Sequence, residues 1–463
     1  MEQEQWFIDH PMKEWVQSNP KLALPVCFWG DEAPIKKAGP RQCRRLHWFS
    51  PFCTLGSDRS RVLCCISDTA DFTHKAENLQ QFESVAWSFN ICQEENVWPK
   101  ADHQGIPYEP RDHRYQKAGQ KLNSEGKRPI YVGMCGDWKF FVEEFGLSPN
   151  YKHNNPDLAI CAICMATMKE GPLCAWNAAE DADWASTTRE NAEHVSFSPL
   201  AKIKGFHIFN FYEDMMHDDL LGIRPSIVGA SLVICCQHGL FDGDVPVPLG
   251  GDWKDRLQTQ LNVAYRDFCK WASSNGHRHS QPTFKVCGLK LRNLSSSPYM
   301  KSKAHNCAVL SQWCKARVET IKDVDSEMQV LFMVLDGMVD IWVLAQELKA
   351  KDTIFLDPTE KARLAAARRH ALEGYMFLWR FAQHNKLARY GCRPKFHKLD
   401  HCLRRAIKTG LSYSCWWSFA CEGAIGTTAK TCAVSHASTL GVRPTQRWLV
   451  SFMNNLGRSQ DEI

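Results

Sequence analysis

"IYVGMCGDWKFFVEEFG" (residues 130–146) is an apolar, β-prone run that ends in Gly-Asp-Trp and passes into a helical pattern. A strand that delivers a carboxylate, Asp137, at its very end has two readings. Asp is common where a strand ends in a turn, because its side chain caps local backbone groups. It can also be an active-site acid. The same dipeptide closes an earlier run: "LALPVCFWGDEAP" (22–34) is apolar, β-prone and ends in Gly30-Asp31.

Between these two runs lie "RLHWFSPFC" (45–53) and "RVLCCISDT" (61–69), both strand-like, with Gly and Ser marking a tight connection between them. The period then changes. "NLQQFESVAWSFNICQEEN" (78–96) places Leu79, Phe82, Val85, Ala86 and Phe89 near one face at helical spacing. The order is therefore β-β-β-α-β. Three strands close in sequence form a meander, and the helix crosses over to a fourth strand that pairs in parallel beside the first. In that arrangement Asp31 and Asp137 stand side by side. Clustered carboxylates are costly unless something positive sits between them, and Asp oxygens with open water positions suit Mg2+ or Mn2+. Glu32 should point to the opposite face from Asp31, and Asp68 is the other acid nearby.

The chain has 463 residues, 44% hydrophobic and 23% charged, a globular composition too long for one ordinary core. A net charge of +5 permits a nucleic-acid partner without demanding one. The 21 cysteines sit mostly in apolar runs such as "VLCCI" and "LVICC", so they read as reduced core residues. That points to a reducing compartment, nuclear or cytoplasmic. The opening residues lack the apolar segment of a signal peptide, and no apolar run reaches the ~20 residues of a membrane helix. A soluble protein is expected.

Beyond about residue 145 the strand signal fades. An irregular stretch holding Cys161-x-x-Cys164 leads into helical patterns at 217–238, 253–275, 304–322, 326–350 and 358–386. Within the fourth, "MQVLFMVLDGMVDIWVLAQEL" is apolar nearly all round, as a central bundle helix is. The basic, Ser-rich segment 276–303 reads as a loop or exposed hairpin. A last helix carries Glu422 in "WWSFACEGAIG", among apolar and small residues where a carboxylate requires a partner. Glu373 is the runner-up acid. The expected organisation is an N-terminal tail (1–19), a sheet-bearing part (20–150), a helical insertion (151–390) and a C-terminal return to the sheet (391–463).

Taken in order, "PVCFWGDEAP", "LHWFSPF", "VAWSFNICQ", "VGMCGDWKFF" with its following C-x-x-C, "DMMHDDLLG" (214–222) and "PKFHKLDH…SFACEGAIG" resemble the transposase-like proteins of the CACTA and related transposon families. The resemblance covers about residues 22–450. It implies the DDE group and its RNase-H-like mixed sheet, interrupted by a large, mainly α-helical insertion. It implies that Asp31, Asp137 and Glu422 hold two Mg2+ or Mn2+ ions for DNA cleavage and strand transfer. DNA is then the partner, with room for a homo-oligomer and no membrane. The alternative is a domesticated or inactive DNA-binding or scaffold descendant that keeps the fold.

Cys161-x-x-Cys164 reads as half of a structural zinc site that needs two more ligands. Asp214 and His217 are the first choice for them, with Cys174, His207 and His153 as alternatives. The run His217-Asp218-Asp219 equally suits the first turn of a helix, where acids are favoured. His397 and His401 stand at i, i+4, a spacing that can hold a metal, but no Glu follows the first, so this is no metalloprotease signature. They are expected near the scissile phosphate or packed against the sheet. The basic patches "RQCRR" (41–45), "RHSQPTFKVCGLKLR" (278–292) and "KARLAAARRH" (361–370) are candidate phosphate contacts.

Overall fold

Strands β1 (Ala23–Pro34), β2 (Gln42–Phe49) and β3 (Val62–Asp68) form an antiparallel meander in a computed structural model of the chain. The structure describes residues 5–34, 42–53, 60–68, 75–147, 155–188, 198–243, 252–293, 295–435 and 442–458. Helix α1 (Lys75–Asn90) crosses over to β4 (Arg128–Gly136), which pairs in parallel with β1. The expected neighbours are therefore neighbours. A further strand, β5 (Phe211–Glu213), adds in parallel to the far side of β4. The sheet order is β3-β2-β1-β4-β5, and with its many helices the chain is a mixed α/β protein.

Glycines decide how tightly the strand ends are covered. Helix α2 (Trp138–Phe145) starts directly after β4 and lays Phe140 across it. A Cβ on Gly30 would lie 2.0 Å from the Phe140 ring, and one on Gly136 would lie 3.0 Å from the Gly30 carbonyl. Gly133, an odd residue in a β-prone run, has the same cause. A Cβ there would lie 2.5 Å from the Asn210 carbonyl and 2.2 Å from the Tyr212 ring, so β5 can approach only a glycine.

The two sheet faces bury different partners, as the period of two requires. Val26, Phe28, Tyr131 and Met134 pack on one face with Phe82, Ala86 and Phe89 of α1 and Phe140, Phe141 and Phe145 of α2. Cys27, Trp29, Ile130, Val132 and Cys135 pack on the other with Trp416 and Cys421. Phe7 and Met12 join this second cluster, so the segment expected as an N-terminal tail is seated on the sheet.

The expected helical patterns appear as α3 (Met216–Gln237), α4 (Trp253–Ser274), α5 (Ala304–Glu319), α6 (Ser326–Ala350), α7 (Pro358–Arg368) and α8 (Gly374–His384). A π-turn, Arg369–Glu373, joins α7 to α8, and the first turns of α3, Met216–Ile223, are also π-wound. By length and composition α3 and α6 could each cross a membrane, but the apolar window of α3 is 89% buried within the protein and that of α6 56%. Both supply the main helical core, with Ile227, Val228 and Leu232 from α3 and Leu331, Leu335 and Met338 from α6. The segment 276–303 is largely irregular, as expected, but it is no exposed hairpin: Phe284, Leu289 and Met300 are buried in that core. Three more helices follow toward the C-terminus: α9 (Lys395–Thr409), α10 (Phe419–Ala433) and α11 (Arg443–Arg458).

Phe140 is itself wedged against Phe141 and Phe145, so it cannot swing away from an added methyl group. Gly30→Ala should therefore destabilise the protein by ~1–3 kcal/mol in chemical denaturation, the usual cost of overpacking. Adding Phe140→Leu should recover part of the loss. A Gly30→Ala protein as stable as its parent would contradict the close packing described.

Candidate acidic site and metal centre

The parallel pairings end in register. Gly30 pairs with Gly136, and Gly136 with Glu213 on its other side. Asp137 and Asp214 follow the last residues of β4 and β5, whereas β1 does not end at Gly30-Asp31 as expected: Asp31 stands one residue past its last pair with β4, and the strand runs on to Pro34 against β2. Asp31 shares the face of Trp29, toward Cys421 and α10, and stands directly across from Arg45 on β2. Helix α10 brings Glu422 to the same place.

The charges of these groups act on one another. Burial pushes the Asp31 carboxyl up to about 7, the Glu422 carboxylate adds to this, and Asp137 contributes in the same direction. Glu422 is likewise raised, by burial first and then by Asp214 and Asp137, with His217 opposing. Asp137 also does the plain structural work of its residue type: it is the N-cap of α2, accepting from the Lys139 N–H at 3.1 Å. Glu32 faces the other way, as expected. Its carboxylate takes the Arg44 Nε at 3.1 Å and the Lys139 Nζ at 3.1 Å. The Asp68 side chain lies outside the described residues. Glu373 is in the π-turn between α7 and α8, lining a cavity with Trp176 and His384.

Asp214 and His217 belong to this acidic site and not to the cysteines. Asp214 is 2% exposed. Its Oδ1 accepts from Met216 N at 2.9 Å and Ser418 N at 3.1 Å, and its Oδ2 meets His217 Nδ1 at 2.5 Å. One carboxylate therefore ties the end of β5 to the start of α3 and the start of α10. The far nitrogen of His217, Nε2, lies 3.9 Å from Glu422 Oε1. Burial alone would lower the His217 pKa, but the Asp214 charge outweighs it and raises it to about 9, so an imidazolium faces Glu422 at neutral pH. Gly222 closes the unit. A Cβ there would sit 2.8 Å from the His217 carbonyl and 3.0 Å from Lys395, whose Nζ donates to that same carbonyl at 2.9 Å.

Among the described residues, one group of three or more His, Cys, Asp or Glu side chains gathers its ligand atoms within 4.8 Å of one another. It is Cys161, Cys164, His397 and His401, so the acids above are spaced more widely than this. The Cys161 Sγ is 3.7 Å from His401 Nε2, and the Cys164 Sγ is 3.3 Å from both His397 Nε2 and His401 Nε2. Tetrahedral zinc, with Zn–S near 2.3 Å and Zn–N near 2.0–2.1 Å, has S···N edges of about 3.6 Å. The donor set and its spacing fit a structural zinc. This corrects the expected ligands: the partners of the cysteines are His397 and His401 on α9, not Asp214 and His217. Cys174 lies outside the group, and His207 instead caps the turn Ile208–Asn210 by accepting from Phe209 N at 3.1 Å. His153 lies outside the described residues.

The surroundings of the four ligands hold them in place. Trp184 packs on both imidazoles, with ring centroids 4.4 Å from His397 and 4.9 Å from His401. Burial opposes ionisation of Cys161, yet the Cys164 thiol and the Lys398 ammonium hold its pKa well below the usual thiol range. Lys398 donates to Cys161 Sγ at 3.3 Å, pairs with Glu213 Oε1 at 2.7 Å and lies 3.4 Å over the Trp138 ring. A single buried ammonium thus joins the metal centre to the last residue of β5 and to the residue after Asp137.

Two outcomes follow from this geometry. The purified protein should carry about one zinc per chain by elemental analysis. His401→Ala and Cys164→Ser should lose it and expose the junction to proteolysis, while Asp214→Asn should keep it. Zinc retained by both ligand variants would refute the assignment. Asp31 gives a pH test. Its folded-state pKa lies above the unfolded value, so ionising it costs stability. That cost is absent below about pH 4, grows as pH rises and levels off above about pH 7. In buffer free of divalent cations, Asp31→Asn should therefore gain melting temperature over the parent as pH rises between about 5 and 8. Parallel curves would show that Asp31 is not held protonated.

No protein-family model matches the chain and no curated protein matches it in sequence, so the chemistry of the site rests on its own geometry.

Proposed function

We propose that the protein is a metal-dependent DNA nuclease and strand transferase of the DDE type, built on an RNase-H-like sheet. One observation carries the reading: the in-register pairing of Gly30 with Gly136, after which Asp31 and Asp137 follow on adjacent chains, within electrostatic reach of Glu422. The strand order and directions agree with an RNase-H-like core, and so does the long helical passage between β5 and α10. Asp31 and Glu422, both raised by burial and by neighbouring carboxylates, are groups whose charge a bound cation would favour.

Asp31, Asp137 and Glu422 would hold Mg2+ or Mn2+, which when bound activates an oxygen nucleophile and stabilises the leaving oxygen at phosphorus. The protein's own residues supply the placement. The α2 cap fixes Asp137, and Arg45 stands across from Asp31. Asp214 fixes the start of the Glu422 helix, and His217 supplies a positive group beside Glu422. The wider spacing of the acids, compared with the cysteine–histidine group, is what favours the second reading, a DNA-binding scaffold without chemistry.

Nicking of supercoiled DNA in Mg2+ or Mn2+ separates the two. The wild type should nick, and Asp137→Asn and Glu422→Gln should each lose about a hundredfold or more in rate, the scale of removing a group that acts on the reacting centre. Both variants should keep their zinc, which reports an intact junction. A wild type that binds DNA but never nicks it supports the scaffold.

A further inference from the structure

A cluster of cations flanks the acidic site and takes no part in the machinery above. The chain between α4 and α5 ends in a strap laid across α3. Met300 N donates to the Pro225 carbonyl at 2.9 Å, and the Tyr299 hydroxyl donates to the Leu221 carbonyl at 2.7 Å. Gly229 makes the crossing feasible: a Cβ there would lie 2.9 Å from Tyr299 N and 3.0 Å from Met300 N. The strap also bonds to itself, with Tyr299 N donating to Leu289 O and Lys301 N to Gly288 O. It is a fixed piece of structure, placed by α3.

Three exposed cations gather on it. Lys290 has a φ of 55°, a left-handed conformation uncommon for a residue with a Cβ. Its ammonium lies 3.9 Å from the centre of the Tyr299 ring. Arg393, just before α9, covers the same ring at 4.3 Å. Lys301 is near enough that, after burial, it and Arg393 lower the Lys290 pKa. Among the described residues, none of the three has a carboxylate within ion-pair distance. Like charges packed around one ring repel, and the group that relieves such repulsion is an anion.

The position says which anion. Leu221, which takes the Tyr299 hydroxyl, is in the same π-wound start of α3 as His217, about one turn further on. Lys395, two residues past Arg393, bonds the His217 carbonyl. The cations therefore stand beside the helix start that faces the acids. A polyanion reaching the acidic site along this side meets them first.

We infer that Lys290, Lys301 and Arg393, gathered on Tyr299, form a ridge that grips backbone phosphates of DNA beside the acidic site. This rests on the DNA reading above. The contact is to phosphate and carries no sequence preference, since lysine and arginine on a rigid platform read charge and not base edges.

The test is binding of a fluorescent DNA duplex, followed by anisotropy across a range of KCl concentrations without divalent cations. Each phosphate contact contributes a slope of about 0.9 in log affinity against log salt. The triple variant Lys290→Ala/Lys301→Ala/Arg393→Ala should lose roughly two to three from that slope. Its melting temperature should stay level or rise, because the repulsion is removed. A control with equal charge loss, Lys100→Ala/Arg111→Ala/Lys121→Ala, alters the segment leading into the start of β4, the opposite end of that strand from Asp137, and should keep the full slope. An unchanged slope in the triple variant overturns the ridge, as does an equal loss in the control. If the wild type nicks DNA while the ridge variant keeps its slope, only the ridge is wrong. If the wild type binds no duplex at all, the ridge and the DNA reading fall together.

Discussion

The parallel pairing of β1 with β4 is the constraint on which the acidic site depends. It brings Gly30 and Gly136 into register, and the missing side chains let the Phe140 ring close over the strand ends. Helix α2 can then begin at once, with Asp137 as its cap. The backbone of that acid is gripped by a strand on one side and a helix on the other. Asp31 is held within β1, one residue past its last pair with β4 and directly across from Arg45 in the β2 pairing. The backbone of Asp31 is thus fixed by the sheet and that of Asp137 by the strand end and helix start on either side of it, the rigidity that a site for charged ligands requires.

A long helical passage that leaves the sheet and returns needs fastening, and α9 provides it. His397 and His401 lie on one face with Cys161 and Cys164. Phe396, Leu399 and Leu403 sit in the main helical core. Lys398 reaches Glu213, and Arg405 covers the Tyr212 ring at 3.9 Å. One helix thus touches the cysteine loop, the bundle and the edge strand. A metal bound there contributes directly to holding these parts together, because the four ligands come from segments that are far apart in the unfolded chain.

The strands, the crossover and the main helices were legible because each rests on a local period, of two or of 3.6, together with the handedness of crossovers. What lies outside local pattern was not. Phe211–Glu213 is three residues long, too short to show a period, so β5 and the acid that follows it went unseen. Gly133 was its only trace: a glycine inside a strand marks a close backbone approach. The zinc ligands were misassigned for a related reason. Cys164 and His397 are 233 residues apart, and nothing local encodes that contact. Asp214 and His217 were nearer and had ligand-like spacing, but that spacing serves a hydrogen bond within one turn. The i, i+4 histidines are the better signal, since both project from one face of a helix.

The charge of the acidic cluster is partly offset by its own residues. Asp31 holds its proton to about pH 7, which removes one negative charge. The His217 imidazolium, sustained by Asp214, offsets the charge of Glu422. Under the proposed function, Asp31, Asp137 and Glu422 would hold a divalent cation, which would supply the positive charge that a phosphodiester needs near carboxylates. On the same reading, attraction by the cations around Tyr299 and repulsion by metal-free carboxylates would both act on an approaching phosphate backbone. On that reading the ridge would hold DNA before the acids admit it, an order set by electrostatics.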